Sequence, residues 1–270
     1  MTTGAVPQML TGAALFSQVA AEAGEAFWWL GQHSFVLKLA GLPILLDPFL
    51  TPLPERRVPP LFAPGDARDV AVVCCTHDHL DHLDPWAVEG LAQTSQAVFV
   101  ASRAHRDRLL SLGVPTDRLR LVDDGLTVTI GGLKITGIKA AHEFFDQTPA
   151  GYFPHLGLVL EGNGKVVYHA GDTLWWEGLQ HRLAQWQFDV AIVPINGRDA
   201  VRYSQNIQGN MTYQEAADLL GGLRVQLAVP AHYDMFLQNS ISPQLFVDYV
   251  TVKYPGQRMW VGAPTERVPF

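Results

Sequence analysis

The chain has 270 residues, 48% of them hydrophobic and 17% charged, with a formal net charge of −7. That is enough apolar content for one large folded domain, and an acidic chain without a basic block excludes a broad nucleic-acid surface. No segment approaches the roughly 18 continuous apolar residues of a membrane span, and two adjacent cysteines, Cys74 and Cys75, exclude a disulfide framework and read as small buried hydrophobes.

The first 25 residues contain no Lys or Arg, the first basic residue being Lys38. A secretory signal needs a positive start, so this stretch reads as an N-terminal helical extension and the protein as cytoplasmic. "FWWLGQHSFVLKLAGLPILLDPF" then gives strands broken at Gly31 and at "AGLP", and residues 51–65 are proline-rich and irregular. "DVAVVCCT" is a continuous apolar run, the pattern of a strand buried on both faces. After it, Asp84 and Pro85 are a cap and a first-turn residue for the helix "WAVEGLAQ". "AVFVAS" is a strand, and "RAHRDRLLSLGV" a helix ended by Gly113. "LRLVDDGLTVTIGGLKITGIKAAH" gives further strands with turns at Asp124-Gly125 and Gly131-Gly132. "LGLVLEGNGKVVYHAGDT" is a hairpin, "WWEGLQHRLAQW" helical, "FDVAIVPIN" a strand and "TYQEAADLLGGL" a helix. "VQLAVPAHYDMF" is a strand running into a polar tip, "SPQLFVDYVTVKY" a helix and "RMWVGA" a last strand. Two hairpins, "SFVLKLAGLPILLD" and "LGLVLEGNGKVVYHAGD", each end at an aspartate, Asp47 and Asp172. They suggest two halves of one design, in which two mixed sheets carry helices outside.

The densest chemistry is "CCTHDHLDHLD". On an extended chain residues two apart point the same way, so His77 and His79 can converge on one ion. Asp81 and His82 follow a turn and can face a second. The motif leaves a buried strand and precedes a capped helix, where ligands gather in α/β proteins. His142, Asp172 and His232 also stand at the ends of apolar runs.

"THDHLDH", a later His, "GDT" and a final His in "PAHYD" resemble the metallo-β-lactamase fold superfamily over nearly the whole chain. "CCTHDHLDHLD", "YHAGDT", "VPINGRD", "GNMTYQEAADL" and "PAHYDMF" are similar to its L-ascorbate-6-phosphate lactonase-like branch. The resemblance implies a four-layer αββα sandwich with two mixed β-sheets. It also implies one metal on His77, His79 and His142, a second on Asp81, His82 and His232, and Asp172 bridging them. Donors of imidazole and carboxylate suit Zn, Mn or Fe, and two divalent ions are expected, Zn or Mn first.

Such a pair would generate a bridging hydroxide to attack a small substrate, with Asp81 and His232 as catalytic groups. Asp47 and Asp78 are expected as supporting carboxylates, and Asp84 as a helix cap. His33, Asn196, Arg198 and Trp175 are candidates for substrate contact. Each has a plainer reading: a buried histidine for His33, an ion pair with Asp199 for Arg198, core packing for Trp175. His169 reads as a core histidine, and His105, His155 and His181 as surface residues. The leading expectation is a lactonase acting on a small, phosphorylated substrate. The alternatives are a phosphodiesterase or phospholipase-type hydrolase on the same site, a di-iron redox protein, and a non-catalytic metal-binding module. No membrane or nucleic-acid partner is expected, and a homo-oligomer is compatible with the chain.

Overall fold

The computed structural model describes residues 9–270. The chain begins with α1 (Gly12–Ala21), which lies within the expected helical extension; residues 1–8 of that extension lie outside the described residues. The helix belongs to the body of the fold. Leu15 and Val19 are fully buried, and Gln18 accepts the Trp28 indole N–H.

The first sheet is built from β1 (Ala26–Trp29), β2 (Phe35–Leu39), β3 (Leu42–Leu46), β4 (Val72–Cys75), β5 (Val98–Ser102) and β6 (Leu119–Val122) in that order. The second runs β12-β11-β10-β9-β8-β7, from β7 (Thr127–Ile130), β8 (Leu133–Lys139), β9 (Leu156–Gly162), β10 (Lys165–His169), β11 (Val190–Pro194) and β12 (Leu227–Ala231). A last strand, β13 (Arg267–Pro269), pairs with β1 at the edge of the first sheet.

The sheets pack face to face. One apolar cluster joins Phe35, Leu37, Ile44 and Cys74 of the first sheet to Ile135, Leu158, Leu160 and Val167 of the second. A second cluster lies on the outer face of the first sheet, where Trp28, Val36, Val73 and Cys75 meet α1, α2 (Pro85–Thr94) and α3 (Arg106–Ser111). Cys74 and Cys75 thus point to opposite faces, as a doubly buried strand requires, and both are free and buried. Beyond the second sheet, α4 (Leu179–Leu183), α6 (Tyr213–Leu223) and α7 (Pro243–Lys253) supply Leu179, Leu183, Leu219, Leu220, Phe246 and Val250. The result is the expected αββα sandwich. Each fully buried aliphatic or aromatic side chain is worth about 1.5–3 kcal/mol.

Both hairpins form. Ala40-Gly41 and Asn163-Gly164 make their turns, and all four residues have positive φ, as the tight turns matched to strand twist require. Each hairpin then feeds a parallel pairing, β3 with β4 and β10 with β11. The ends of β3, β4, β10 and β12 therefore meet at one edge of the sandwich.

Two segments differ from expectation. "WWEGLQHRLAQW" is helical only over α4, because Gly178 takes a left-handed φ of 94° and restarts the chain there. "RMWVGA" is not a strand. Met259 makes a single bridge to Ala228, after which Trp260 stacks edge-on against Phe27 and Trp29 and crosses to the other sheet. The pairing is taken up by β13 instead. A short helix, α5 (Ala200–Ser204), also forms where none was expected.

Candidate active site

The loop after β4 turns back on itself: His82 and Leu83 N–H groups bond the His79 carbonyl at 3.0 and 2.8 Å. Asp84 then caps α2 through the Trp86 N–H and also accepts from Thr51 and from the Leu50 N–H. Pinned at both ends, the loop presents His77, His79, Asp81 and His82 to the sandwich edge. His77 and His82 are fully buried.

The other histidines and Asp172 arrive as the strand ends promised. Asp172 follows Gly171, whose φ is 58°; a Cβ there would lie 2.7 Å from the Leu156 carbonyl oxygen. That turn swings the Asp172 side chain into the edge. His232 follows β12 and is itself left-handed, with φ 59°. Its N–H is held by the Gln32 carbonyl at 3.0 Å. Such conformations in non-glycine residues cost free energy and concentrate at functional sites.

Three groups of donor atoms converge, each within 4.8 Å: His77, His79 and His142; Asp81, His82 and His232; and His77, His82 and Asp172. Asp172 lies between the first two, 3.5 Å from His142 Nε2, 3.3 Å from His82 Nε2 and 3.1 Å from His232 Nε2. The ring tautomers are set from behind. His142 Nδ1–H donates to the Gly209 carbonyl at 2.9 Å and His82 Nδ1–H to Asp47 at 2.7 Å. Thr76 Oγ1 gives its proton to Asp47 and receives the His77 Nδ1–H at 3.1 Å. In all three, Nε2 is left facing the centre, the arrangement found around ligating imidazoles.

The charge pattern separates the two groups. Burial, aided by neighbouring imidazolium charge, pushes His77 well below its usual range, and burial first takes His142 down to about 4. Burial also opposes charge on His82 and His232. There, however, the surrounding carboxylates, Asp172 first, override it, raising His82 well above the usual value and His232 to about 9. Asp81 and Asp172 are held well below the carboxylate range: burial would raise both, but His82 and His232 outweigh it.

A metal ion fits this arrangement. His82 Nε2 and Asp172 Oδ1 are buried, face each other, and have no hydrogen-bond partner. Buried polar atoms are normally satisfied, and here the orphans converge from several strands with only nitrogen and oxygen donors. That set accommodates Zn, Mn or Fe alike.

The remaining candidates fall in different places. Asp47 is fully buried and bonds the Thr76 N–H, Thr76 Oγ1, His82 and His169, so it stands directly behind the site. Asp78 is exposed, because β4 ends at Cys75 and the chain turns there. His33 is wholly buried, with Nδ1 4.0 Å from Asp172 and neither nitrogen bonded. Arg198 does not stand free for a substrate anion. Its fork is spent on Glu215 at 2.7 and 2.8 Å. Asp199 is taken by Arg202 as the cap of α5, so the expected Arg198–Asp199 pair does not form either. Trp175 packs against the core rather than into the pocket. Asn196 is buried and bonds Asn239 from behind.

His169 is a core residue bonded to Asp47, and His181 is exposed. His105 and His155 are buried, contrary to expectation. His105 bonds the Pro154 carbonyl at 2.7 Å, and the His155 ring lies 5.2 Å from His77 and 5.5 Å from His142.

The pocket over these groups has a volume of about 340 Å³. Its walls are His79, Asp81, His142, Asp172 and His232, with Leu80, Ile207 and Phe236, and four carboxamides, Asn206, Gln208, Gln238 and Asn239. Sequence reading missed the 206–208 and 236–239 segments. The one signal was their position, since 236–239 follows directly on "PAHYD". It also missed Gln32, whose Nε2 donates to Asp81 at 2.7 Å and lies 3.0 Å from His232.

Comparison with known proteins agrees with this geometry. Residues 43–233 match the model of the beta-lactamase superfamily domain. A metal-dependent hydrolase of the UPF0173 family from Hyperthermus butylicus is 32% identical over 231 residues, covering 82% of this chain and 89% of that one. Among solved structures, the Igni18 metallo hydrolase from Ignicoccus hospitalis superposes with a TM-score of 0.73 at 24% identity, over 91% of this chain and 98% of that one. A possible metal-dependent hydrolase from Veillonella parvula gives 0.75 at 16% identity, over 92% and 100%. Among the described residues no helix is long and apolar enough to cross a membrane. The chain belongs to the beta-lactamase superfamily, among the metal-dependent hydrolases of the UPF0173 family.

Proposed function

We propose that this protein hydrolyses a small, uncharged substrate at an electrophilic carbon, using two divalent ions. His77, His79 and His142 would hold one, Asp81, His82 and His232 the other, with Asp172 shared. The observation that carries the choice of substrate is the pocket wall, which includes no Lys or Arg among the described residues. Sites that select phosphate or carboxylate use such cations, bidentate arginine above all. Arg198, the one candidate, is engaged by Glu215. A neutral ester or lactone therefore fits better than a phosphorylated lactone or a phosphodiester.

When bound, the ions would supply an acidified water and polarise the attacked oxygen. Asp81 is the more exposed of the two pocket carboxylates, 19% against 4% for Asp172, and stays ionised. It is placed to orient the water. His232 Nε2 lies 3.3 Å from Asp81 on the same wall, where the two would share the second ion. Gln32 fixes both, one through each end of the residue.

Metal-loaded protein should contain about two equivalents of transition metal by elemental analysis. It should turn over neutral lactones or esters in a panel that also holds phosphodiesters, thioesters and β-lactams. Preferential phosphodiester turnover would refute the neutral-substrate reading. Asp81→Ala should abolish turnover with the circular dichroism spectrum unchanged; full activity in that variant would remove Asp81 from the mechanism.

A further inference from the structure

Behind the pocket lies a chain of carboxamides whose orientation is dictated by one arginine. Arg202 Nη1 donates to the Asn239 side-chain oxygen at 2.9 Å and to the Asn196 carbonyl at 2.7 Å. Its Nε is held by Asp199 at 2.7 Å. A guanidinium can only donate. The Asn239 atom that meets it must therefore be the oxygen, however the amide is otherwise assigned.

The same logic propagates. The Asn196 atom 2.9 Å from that oxygen must be Nδ2, which leaves Asn196 Oδ1 to receive the Asn210 amide at 3.1 Å. Asn196 is 1% exposed and Asn210 wholly buried, so the relay is a built element and not a surface coincidence. Asn239 is the member that lines the pocket. With its oxygen accepting two hydrogen bonds from within, its Nδ2 is the free end, and it is neither buried nor bonded among the described residues.

We propose that Asn239 is a substrate-binding donor whose amide is locked by Arg202 and Asn196 to meet an acceptor oxygen of a neutral substrate, remote from the bond that is cleaved. The inference rests on the neutral-substrate reading above and narrows it to substrates carrying a further oxygen outside the ester group, such as a hydroxylated lactone. Arg202 and Asn196 are positioning residues that act through Asn239. Asn196, a sequence candidate for direct contact, takes this indirect role.

Two measurements test it. In the ¹⁵N–¹H spectrum, the Asn239 side-chain pair is identified by its loss in Asn239→Asp. Titration with 1,5-anhydro-D-glucitol, a stable cyclic polyol, should shift that pair saturably, and tetrahydropyran, the same ring without hydroxyls, should not. No shift with the polyol, or an equal shift with both, overturns the proposal. In zinc-loaded enzyme, Asn239→Asp should raise KM for D-glucono-1,5-lactone roughly three- to tenfold, the range of one net hydrogen bond. Its kcat, its metal content and KM for δ-valerolactone should move less than twofold. Arg202→Met should reproduce that selective KM effect, and Arg202→Lys, which restores a donor, should recover part of it. A uniform loss on both lactones would make these residues merely structural. If neither lactone is turned over, the lactone reading fails, and the spectral titration alone decides the role of Asn239.

Discussion

Asp47 and Asp172 stand near the same edge in two like halves of the molecule, Asp47 directly after β3 and Asp172 three residues after β10. Each ends a hairpin, and each hairpin's second strand pairs in parallel with the next strand of its sheet. Their surroundings differ. Asp47 is fully buried, and the Thr76 N–H, Thr76 hydroxyl, His82 and His169 already use its oxygens. Asp172 reaches the pocket wall, and its Oδ1 has no partner. One half has turned its carboxylate into scaffold and the other leaves an unpartnered oxygen at the pocket. Reach accounts for part of the divergence: both ends turn left-handed, at Asp47 itself and at Gly171, but Asp172 stands two residues farther from its strand.

The contrast breaks most sharply at Asp172. Asp172→Asn should cost at least about a thousandfold in hydrolysis, since ions in such sites supply several kcal/mol of charge stabilisation. Bound metal should fall below one equivalent, measured by elemental analysis. The metal-free variant should melt within a few degrees of metal-free wild type. A large loss of metal-free stability would mean that Asp172 is scaffold too.

Asp47→Asn should show the reverse emphasis. Removing one partner from a buried charged network costs about 3–5 kcal/mol, read as a lower urea midpoint in the metal-free protein. Burial works to raise the Asp47 carboxyl, but His82 first and then His169 hold it well below the usual range. A group depressed in this way stabilises above its unfolded value near 3.9, and that contribution fades as pH falls through the folded value. The deficit of Asp47→Asn should therefore shrink on acidification. A deficit constant down to pH 3 would show that packing, not charge, is what Asp47 supplies.

Chelation offers a smaller effect. Metal present at a hundredfold excess over its dissociation constant adds about 2.7 kcal/mol. For a chain this long that corresponds to several degrees of melting temperature. Wild type should lose it on addition of EDTA and Asp172→Asn should lose clearly less. Equal shifts in both would place the stabilising metal elsewhere.

Much of the candidate site was legible because a metal-type side chain at a strand end leaves an abrupt signature. "VVCCTHDH", "VVYHAGD" and "LAVPAHYD" each pass from apolar to metal-type residues within a few positions. The αββα architecture followed from the two hairpins that each end at an aspartate and from the family resemblance. What failed depended on contacts distant in sequence. Nothing near Arg198 announces that Glu215, 17 residues on, will occupy its fork. Asp78 stands in the same motif as the buried histidines, and only the turn after Cys75 leaves it exposed. The burial of His105 comes from the distant segment around Pro154 folding back over the end of β5, and His155 is buried with that segment. The carboxamide wall lay in short polar loops that have no periodicity to read.

The two halves are stitched together at Gln32, and here the smallest effect is the most informative. Its carbonyl, in the turn between β1 and β2, receives the Trp29 indole and the His232 N–H, while its side chain reaches Asp81. The residue is left-handed, with φ 53°, so Gln32→Ala would mix lost reach with added strain. Asparagine tolerates that conformation better than most residues and shortens the side chain by one methylene. Gln32→Asn should keep the backbone bonds to Trp29 and His232 but release Asp81. Groups that orient ligands are worth about 10- to 100-fold in metal affinity, and a single neutral donor belongs at the low end. A competitive zinc titration should therefore show the weaker of two binding steps drop about tenfold, with the step assigned to His77, His79 and His142 unmoved. If both steps weaken together, the two groups of ligands form one cooperative site, and the division between them drawn from the converging donor atoms fails.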